Sequence, residues 1–472
     1  MDREPRSYDA TRARESSRAS RASHAVDSTN APEVDHRPQS SGMRATVTRW
    51  RTYGVVAFAA IMILGGFIGL LFFARPTTSA VEMRNLTRFP EFTAERFMNG
   101  AFFTDFSLWY ADTYPLREPM VAADHWVDGF FGVNTGTGMV GGNVKVDEIP
   151  VEEKPDFSPV VPPSAAPDEK AVAADIQENI MAGVYVKDGA GYSIYYFSQN
   201  AADTYITAMN TAAEKLYGTS TVYSIMAPAN SITLPESEAA AVGGSDQQQA
   251  LNYLSSRYDQ RVKAIELLDI IKEHGDEYLY FHTDHHWTQL GAYYAYVKLC
   301  EAKGVEPKKV SDWRDVNLGE FRGTYSETVE SMGYTVNDEI VAYIPSSTNE
   351  MTYWTAYGEE VQGSVVDEGA ANWDPSFKYS AFIQGDQPLT VIHNPKLNDG
   401  SSCLVVKDSY GCAFVPCLVD MYETVHVIDF RETDKNICDY ALENQIQDVI
   451  FMTGMKIGLT DSVAETLLSE VS

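Results

Sequence analysis

At 472 residues the chain has room for one large domain or two ordinary ones, and 44% hydrophobic with 12% aromatic residues describe a packed core. The net charge of −30 is uneven: residues 1–52 carry ten arginines against seven acids, a net +3, which leaves −33 on the rest. Such acidity excludes a binder that tracks nucleic-acid phosphates, because that task needs clustered cations.

Residues 1–52, rich in Ser, Ala and Arg, have too little apolar surface to offset chain entropy and are expected to form a disordered cytoplasmic tail. Tyr53 to Ala74 is an uncharged run of 22 residues. As a helix it spans about 33 Å, enough to cross a bilayer core. It is expected to anchor the chain in the membrane rather than to be cleaved, being longer than a signal peptide's apolar region and sitting behind a long tail. Arg44, Arg49 and Arg51 on its N-terminal flank place the tail in the cytoplasm and everything after residue 75 outside it.

Residues 81–142 are mixed and aromatic, and suggest membrane-proximal helices of the main domain. Residues 147–170 hold six prolines and seven acids, the composition of a linker or loop. From 171 to 472 short β-type runs alternate with helical stretches. Strands are expected at 183–186, 193–197, 221–226, 278–281, 403–406, 425–429 and 449–452, with helices at 203–216 and 258–273. That alternation predicts an α/β domain built on a mainly parallel sheet flanked by helices, with its chemistry at strand C-termini. Residues 309–385 break the pattern and are expected to form an insertion. Five cysteines show no metal-type spacing, and their odd number leaves room for at most a partial pairing.

Two segments carry chemistry. In the first, Asp284-His285-His286-Trp287 lies on a turn between an expected strand and a helix starting near Thr288. A carboxylate two residues before a histidine can hold its Nδ1 and leave Nε2 facing a site. The bland alternative is a set of polar turn residues. In the second, the apolar run Leu404 to Val406 passes through Lys407-Asp408-Ser409-Tyr410-Gly411 into a helical stretch. A serine there presents its hydroxyl at the sheet edge beside helix N-terminal amides, or simply caps the helix. Together Asp284, His286 and Ser409 supply the orienting acid, the general base and the nucleophile of acyl transfer. The amides of Ser409 and Tyr410 are the default oxyanion donors, and Gly411 and Gly385 are further candidate oxyanion or supporting residues.

The block FHTDHHWTQLGAYYAY with VVKDSYGCAFVPCL from Val405 to Leu418 resembles the DHHW proteins, and weaker similarity spans roughly 83–455. These proteins are similar to the alginate O-acetyltransferase proteins of bacterial exopolysaccharide systems. The resemblance implies an SGNH-hydrolase-like (flavodoxin-like) fold, with Asp284, His286 and Ser409 matching acid, base and nucleophile. His285 and Trp287 match the motif but take no catalytic role from it. Cys412 stands where an Asn is common, and Thr453-Gly454 ends a strand where an Asn is common.

The resulting expectation is a membrane-anchored, serine-dependent O-acetyltransferase or acetyl-esterase. It would act on a cell-surface or secreted polysaccharide without cofactor or metal, and a multispanning acyl-export protein would supply acetyl groups. One competing reading is a surface glycan-binding or scaffold protein that has lost catalysis. The other is a metal-dependent phosphoesterase using the His282, Asp284, His285 and His286 cluster.

Overall fold

A computed structural model describes residues 166–335 and 338–472 continuously. Shorter stretches precede them, chiefly 92–98, 100–114, 137–141, 146–150 and 157–163. The expected tail and most of the expected transmembrane run lie outside the described residues.

Helices Ala94–Met98 (α1) and Ala101–Asp112 (α2) fall in the aromatic region. Strand Gly138–Val140 (β1) then pairs antiparallel with Val184–Lys187 (β2), which pairs with Ala190–Ser193 (β3) in a small three-stranded sheet. Between β1 and β2, Asp168 caps helix Glu169–Met181 (α3) by accepting from the amides of Lys170 and Ala171. The ladder of β3 stops at Ser193, so the strand expected at 193–197 is not formed. Helix Gln199–Lys215 (α4) follows, and its Thr207 hydroxyl accepts from the Val160 amide of the Pro-rich stretch.

The main sheet has eight strands. In spatial order they are Glu360–Ser364 (β9), Glu350–Trp354 (β8), Leu389–His393 (β10), Thr424–Asp429 (β12), Ser402–Lys407 (β11), Asp448–Gly454 (β13), Thr221–Ala227 (β4) and Val262–Ile265 (β5). From β12 to β5 every pairing is parallel. At the other edge β10, β8 and β9 pair antiparallel. The sheet is therefore mixed, a parallel run of five strands extended at one edge by three strands in antiparallel pairings. Residues 350–364 form a tight hairpin, which can only return antiparallel. Strands β11 and β13 are buried at every position, as central strands covered on both faces should be.

Two further expectations are corrected. Residues 258–273 form not one helix but β5 and helix Leu268–Glu273 (α5), because Val262 and Ile265 pair along β4 at the sheet edge. Residues 278–281 form no ladder strand. A single bridge joins Tyr280 to Trp287, and the Tyr278 and Leu279 carbonyls accept from the Thr288 hydroxyl and amide. The segment is thus closed by its own loop. Helix Gln289–Lys303 (α6) starts where expected, with Thr288 capping Gly291 and Gly304 ending it at φ 69°. Its buried face is Ala292, Ala295, Tyr296 and Leu299, while Leu290, Tyr293 and Val297 are half-buried.

Within 309–385, Arg314–Phe321 (β6) and Asp338–Ile344 (β7) make a separate antiparallel pair, and β8 and β9 extend the main sheet. Helix Tyr410–Leu418 (α7) follows β11 directly, and Asp461–Val471 (α8) packs on α4. All five cysteines are buried free thiols.

Candidate active site

Ser409 lies between the C-terminal end of β11 and the start of α7, with backbone angles φ −59° and ψ −23°, and its side chain makes no capping hydrogen bond to the helix. The hydroxyl is instead 2.7 Å from His286 Nε2. On the far side of the ring, Nδ1 is 2.5 Å from Asp284 Oδ1, and the His286 amide donates to the same oxygen at 2.9 Å. Asp284 Oδ2 accepts from the Thr324 amide at 2.8 Å and from its hydroxyl at 3.1 Å. Burial pushes the Asp284 pKa up, but the His285 and His286 imidazoles and the bonds from His286 and Thr324 outweigh it, holding the carboxyl well below its ordinary range. Asp284 is therefore an acceptor only, so Nδ1 of His286 carries the proton and Nε2 accepts from the Ser409 hydroxyl.

The two sequence blocks are stitched together directly. Trp287, fully buried, donates from Nε1 to the Tyr410 carbonyl at 2.9 Å, and the Tyr410 hydroxyl donates to the His285 carbonyl at 2.5 Å. Tyr379 stacks on the His286 ring, centroids 4.1 Å apart and planes 16° apart, and donates to the Ser409 carbonyl at 3.2 Å. Its ring covers one face of the imidazole.

Asp408 braces the turn, accepting from Tyr410 N–H at 3.0 Å and Gly454 N–H at 2.7 Å. Burial lifts its pKa to about 6. A Cβ on Gly454 would meet the Tyr410 ring at 2.3 Å, and one on Gly411 would meet Lys407 Cβ at 2.5 Å, so both positions need glycine for close approach. Beneath the turn, buried Lys407 donates to Asp386 at 2.7 Å and Asp429 at 2.8 Å, and Arg431 bonds the same two carboxylates. Two cations facing two anions satisfy the requirement that buried charge be paired. Cys412 Sγ lies 3.4 Å from Asp386 Oδ1, so this position faces the ion cluster.

The candidate oxyanion donors fare unequally. Tyr410 N–H goes to Asp408 Oδ1, Gly411 N–H to Asp408 O, Cys412 N–H to Ser409 O, and Gly385 N–H closes a turn onto Phe382 O at 3.0 Å. Those amides are committed elsewhere. Among the described residues, the Ser409 N–H is the amide of this turn with no such acceptor.

Several contributors carried no sequence signal. Thr324 follows Gly323, where a Cβ would collide with Asp284 Cβ at 2.3 Å. Asp338, buried at the start of β7, accepts from the amides of His282 (3.0 Å) and Thr283 (2.6 Å), the Thr283 hydroxyl (2.5 Å) and the Tyr278 hydroxyl, and so fixes the loop that carries Asp284. The spacing of these residues from the motif gives no pattern a linear reading can detect.

Ligand atoms of Asp284, His285 and His286 lie within 4.8 Å of one another. Both Asp284 oxygens already take two donors each, and both His286 ring nitrogens are hydrogen-bonded, so a metal there would have to compete with the donors already on whichever oxygen or nitrogen it used. The donor set suits an orienting acid better than a metal ligand.

An α/β fold on a mixed sheet, with these two motif blocks meeting at the C-terminal end of β11, defines the class. A family model for the DHHW protein matches residues 82–158 and 162–428, and the chain belongs to the DHHW family. A DHHW family protein from Eubacterium siraeum is 27% identical, covering 60% of this chain and 94% of its own, with a TM-score of 0.54. Bacillus cereus PatB1 is 21% identical over 58% of this chain and 94% of its own, with a TM-score of 0.49. The O-acetyltransferase domain of Pseudomonas putida AlgJ is 12% identical over 58% of this chain and 90% of its own, with a TM-score of 0.35. No curated protein matches the sequence.

Proposed function

We propose that the protein transfers acetyl groups through an acetyl-Ser409 intermediate, acting as an O-acetyltransferase or acetyl-esterase on a polysaccharide outside the cytoplasm. The observation that carries this is the unbroken chain from Ser409 Oγ to His286 Nε2 (2.7 Å) and from Nδ1 to Asp284 Oδ1 (2.5 Å). As Ser409 Oγ attacks the acyl carbonyl carbon, its proton passes to His286 Nε2 and Asp284 stabilises the imidazolium. The Ser409 N–H, at the positive end of α7, faces the charge developing on the carbonyl oxygen. Collapse breaks the bond to the donor's oxygen, which takes the proton from His286. A sugar hydroxyl or water then attacks acetyl-Ser409, giving its proton to His286, which returns it to Ser409 Oγ.

The choice of acetyl rests on the sequence resemblance to the alginate O-acetyltransferase proteins. The apolar run Tyr53 to Ala74 supports a single-pass anchor with an extracytoplasmic catalytic domain, and a multispanning partner then supplies the donor. In the SGNH-hydrolase-like reading, Ser409 follows a strand of the main sheet and the Asp-x-His pair reaches it from a neighbouring loop.

The test is acetyl release from a chromogenic acetyl ester by the full-length protein in detergent, with and without a polysaccharide acceptor. Release by wild type that is lost in Ser409→Ala and His286→Ala supports the reading, and acceptor acetylation marks a transferase. Release unchanged in both variants sinks it.

A further inference from the structure

The hydrogen-bond chain does not stop at Asp284. Thr324 Oγ1 lies 3.1 Å from Asp284 Oδ2 and 3.0 Å from His285 Nδ1. The carboxylate can only accept, so the Thr324 hydroxyl donates to it and uses a lone pair to take the His285 Nδ1–H. This fixes His285 as the Nδ1–H tautomer. Its Nε2 is then an unprotonated acceptor, buried and without a hydrogen-bond partner among the described residues. Burial and the neighbouring His286 push the His285 pKa down to about 3, so the ring is neutral.

A buried nitrogen with no partner carries a desolvation cost that an apolar ring would avoid. What the imidazole gains in return is visible at its other nitrogen. With one lone pair engaged by His285, the Thr324 hydroxyl keeps its proton off that ring and free for Asp284. The His285 ring is itself held in place: it packs 3.8 Å from the His286 ring, and its carbonyl accepts from the Tyr410 hydroxyl.

We propose that His285 and Thr324 are positioning residues, a relay from His285 Nδ1–H through the Thr324 hydroxyl to Asp284 Oδ2 that fixes the carboxylate so that Oδ1 stays on His286 Nδ1. The proposal rests on the Ser409, His286 and Asp284 reading above and assigns the first histidine of the motif a task. Neither residue is hydrogen-bonded to Ser409 Oγ or His286 Nε2, the reacting atoms.

The test uses the full-length protein and two readouts. One is the low-field proton resonance of the His286 Nδ1–H, which requires no turnover. The other is the rate at which a fluorophosphonate labels Ser409. Thr324→Val keeps the side-chain shape and the backbone amide but removes the hydroxyl. It is expected to shift the resonance upfield and slow labelling roughly tenfold to hundredfold, the range for losing one hydrogen bond to a charged group. Thr324→Ser should restore both, and His285→Phe should shift both in the same direction by less.

Wild-type resonance and labelling in Thr324→Val overturn the relay. Should the valine variant not fold, the same two results in His285→Phe overturn it. If wild type shows the resonance and Thr324→Val displaces it, yet wild-type Ser409 is never labelled, the relay stands and the serine chemistry falls. The two failures are thus distinguishable.

Discussion

The site is assembled from two kinds of region that behave differently. Residues 278–289 and 403–418 place Asp284, His286 and Ser409 by local means: a self-closed loop before a capped helix, and a buried strand that turns straight into α7. Residues 314–386 place Thr324, Asp338 and Tyr379 by reaching across the molecule, each touching the site through one or a few polar contacts. Chemistry is written in short patterned segments, whereas the groups that hold it rigid come from a stretch with no period. The first kind should lose far more activity than stability when altered. The second should lose both.

The sharpest break in this comparison is Asp284→Asn. With the Thr324 donors holding the amide oxygen, its NH₂ faces His286 and forces the proton onto Nε2, leaving no base for Ser409. Labelling of Ser409 should fall by about 10³ to 10⁴, as for the wrong tautomer in other triads, with a smaller stability loss of about 1–3 kcal/mol because the NH₂ also meets the His286 backbone N–H.

Asp338→Asn tests the second region. It leaves one acceptor for donors that now share two oxygens, and turns an NH₂ group against the rest. Expected results are a stability loss of about 2–4 kcal/mol in chemical denaturation and a tenfold or so drop in labelling. A stability loss without a drop in labelling would make residues 314–386 a brace for the fold alone.

The smallest effect concerns a group behind the site. Lys456, buried with its ammonium on the Ile180 and Ala182 carbonyls and no carboxylate beside it among the described residues, has its pKa lowered by burial to about 7. The native state releases this proton near pH 7, whereas the unfolded chain holds it to about 10.5. Across that window the unfolded state binds more protons, so stability from this group rises with pH. Relative to wild type, Lys456→Met should therefore look best at pH 7 and lose that advantage toward pH 10, read from melting temperatures at each pH. A difference that is flat with pH would show that Lys456 is not buried as a charge.

Much of the sheet was legible because β4, β11, β12 and β13 are near-continuous apolar runs bounded by polar turns. The edges were not. Residues 262–265 are too short to stand out from the helical pattern around them, and the hairpin at 350–364 mixes polar and aromatic residues, so the antiparallel edge was missed. Tyr278 to Phe281 has strand composition, but its partner groups lie in its own loop. In the site, the order and spacing of Asp284, His286 and Ser409 were readable, while the state of each backbone amide was not. Sequence alone does not say that Tyr410, Gly411 and Gly385 spend their N–H groups locally. Cys412 also needed the fold, which turns it toward Asp386.

The central claim is that Ser409 is a nucleophile driven by His286. The most direct measurement is the intact mass of the full-length protein after reaction with a fluorophosphonate, followed by peptide mapping. One adduct per chain on Ser409, absent in Ser409→Ala and slowed by at least about 10³ in His286→Ala, is the predicted result. An unmodified wild-type chain, or an adduct that persists in Ser409→Ala, would contradict it.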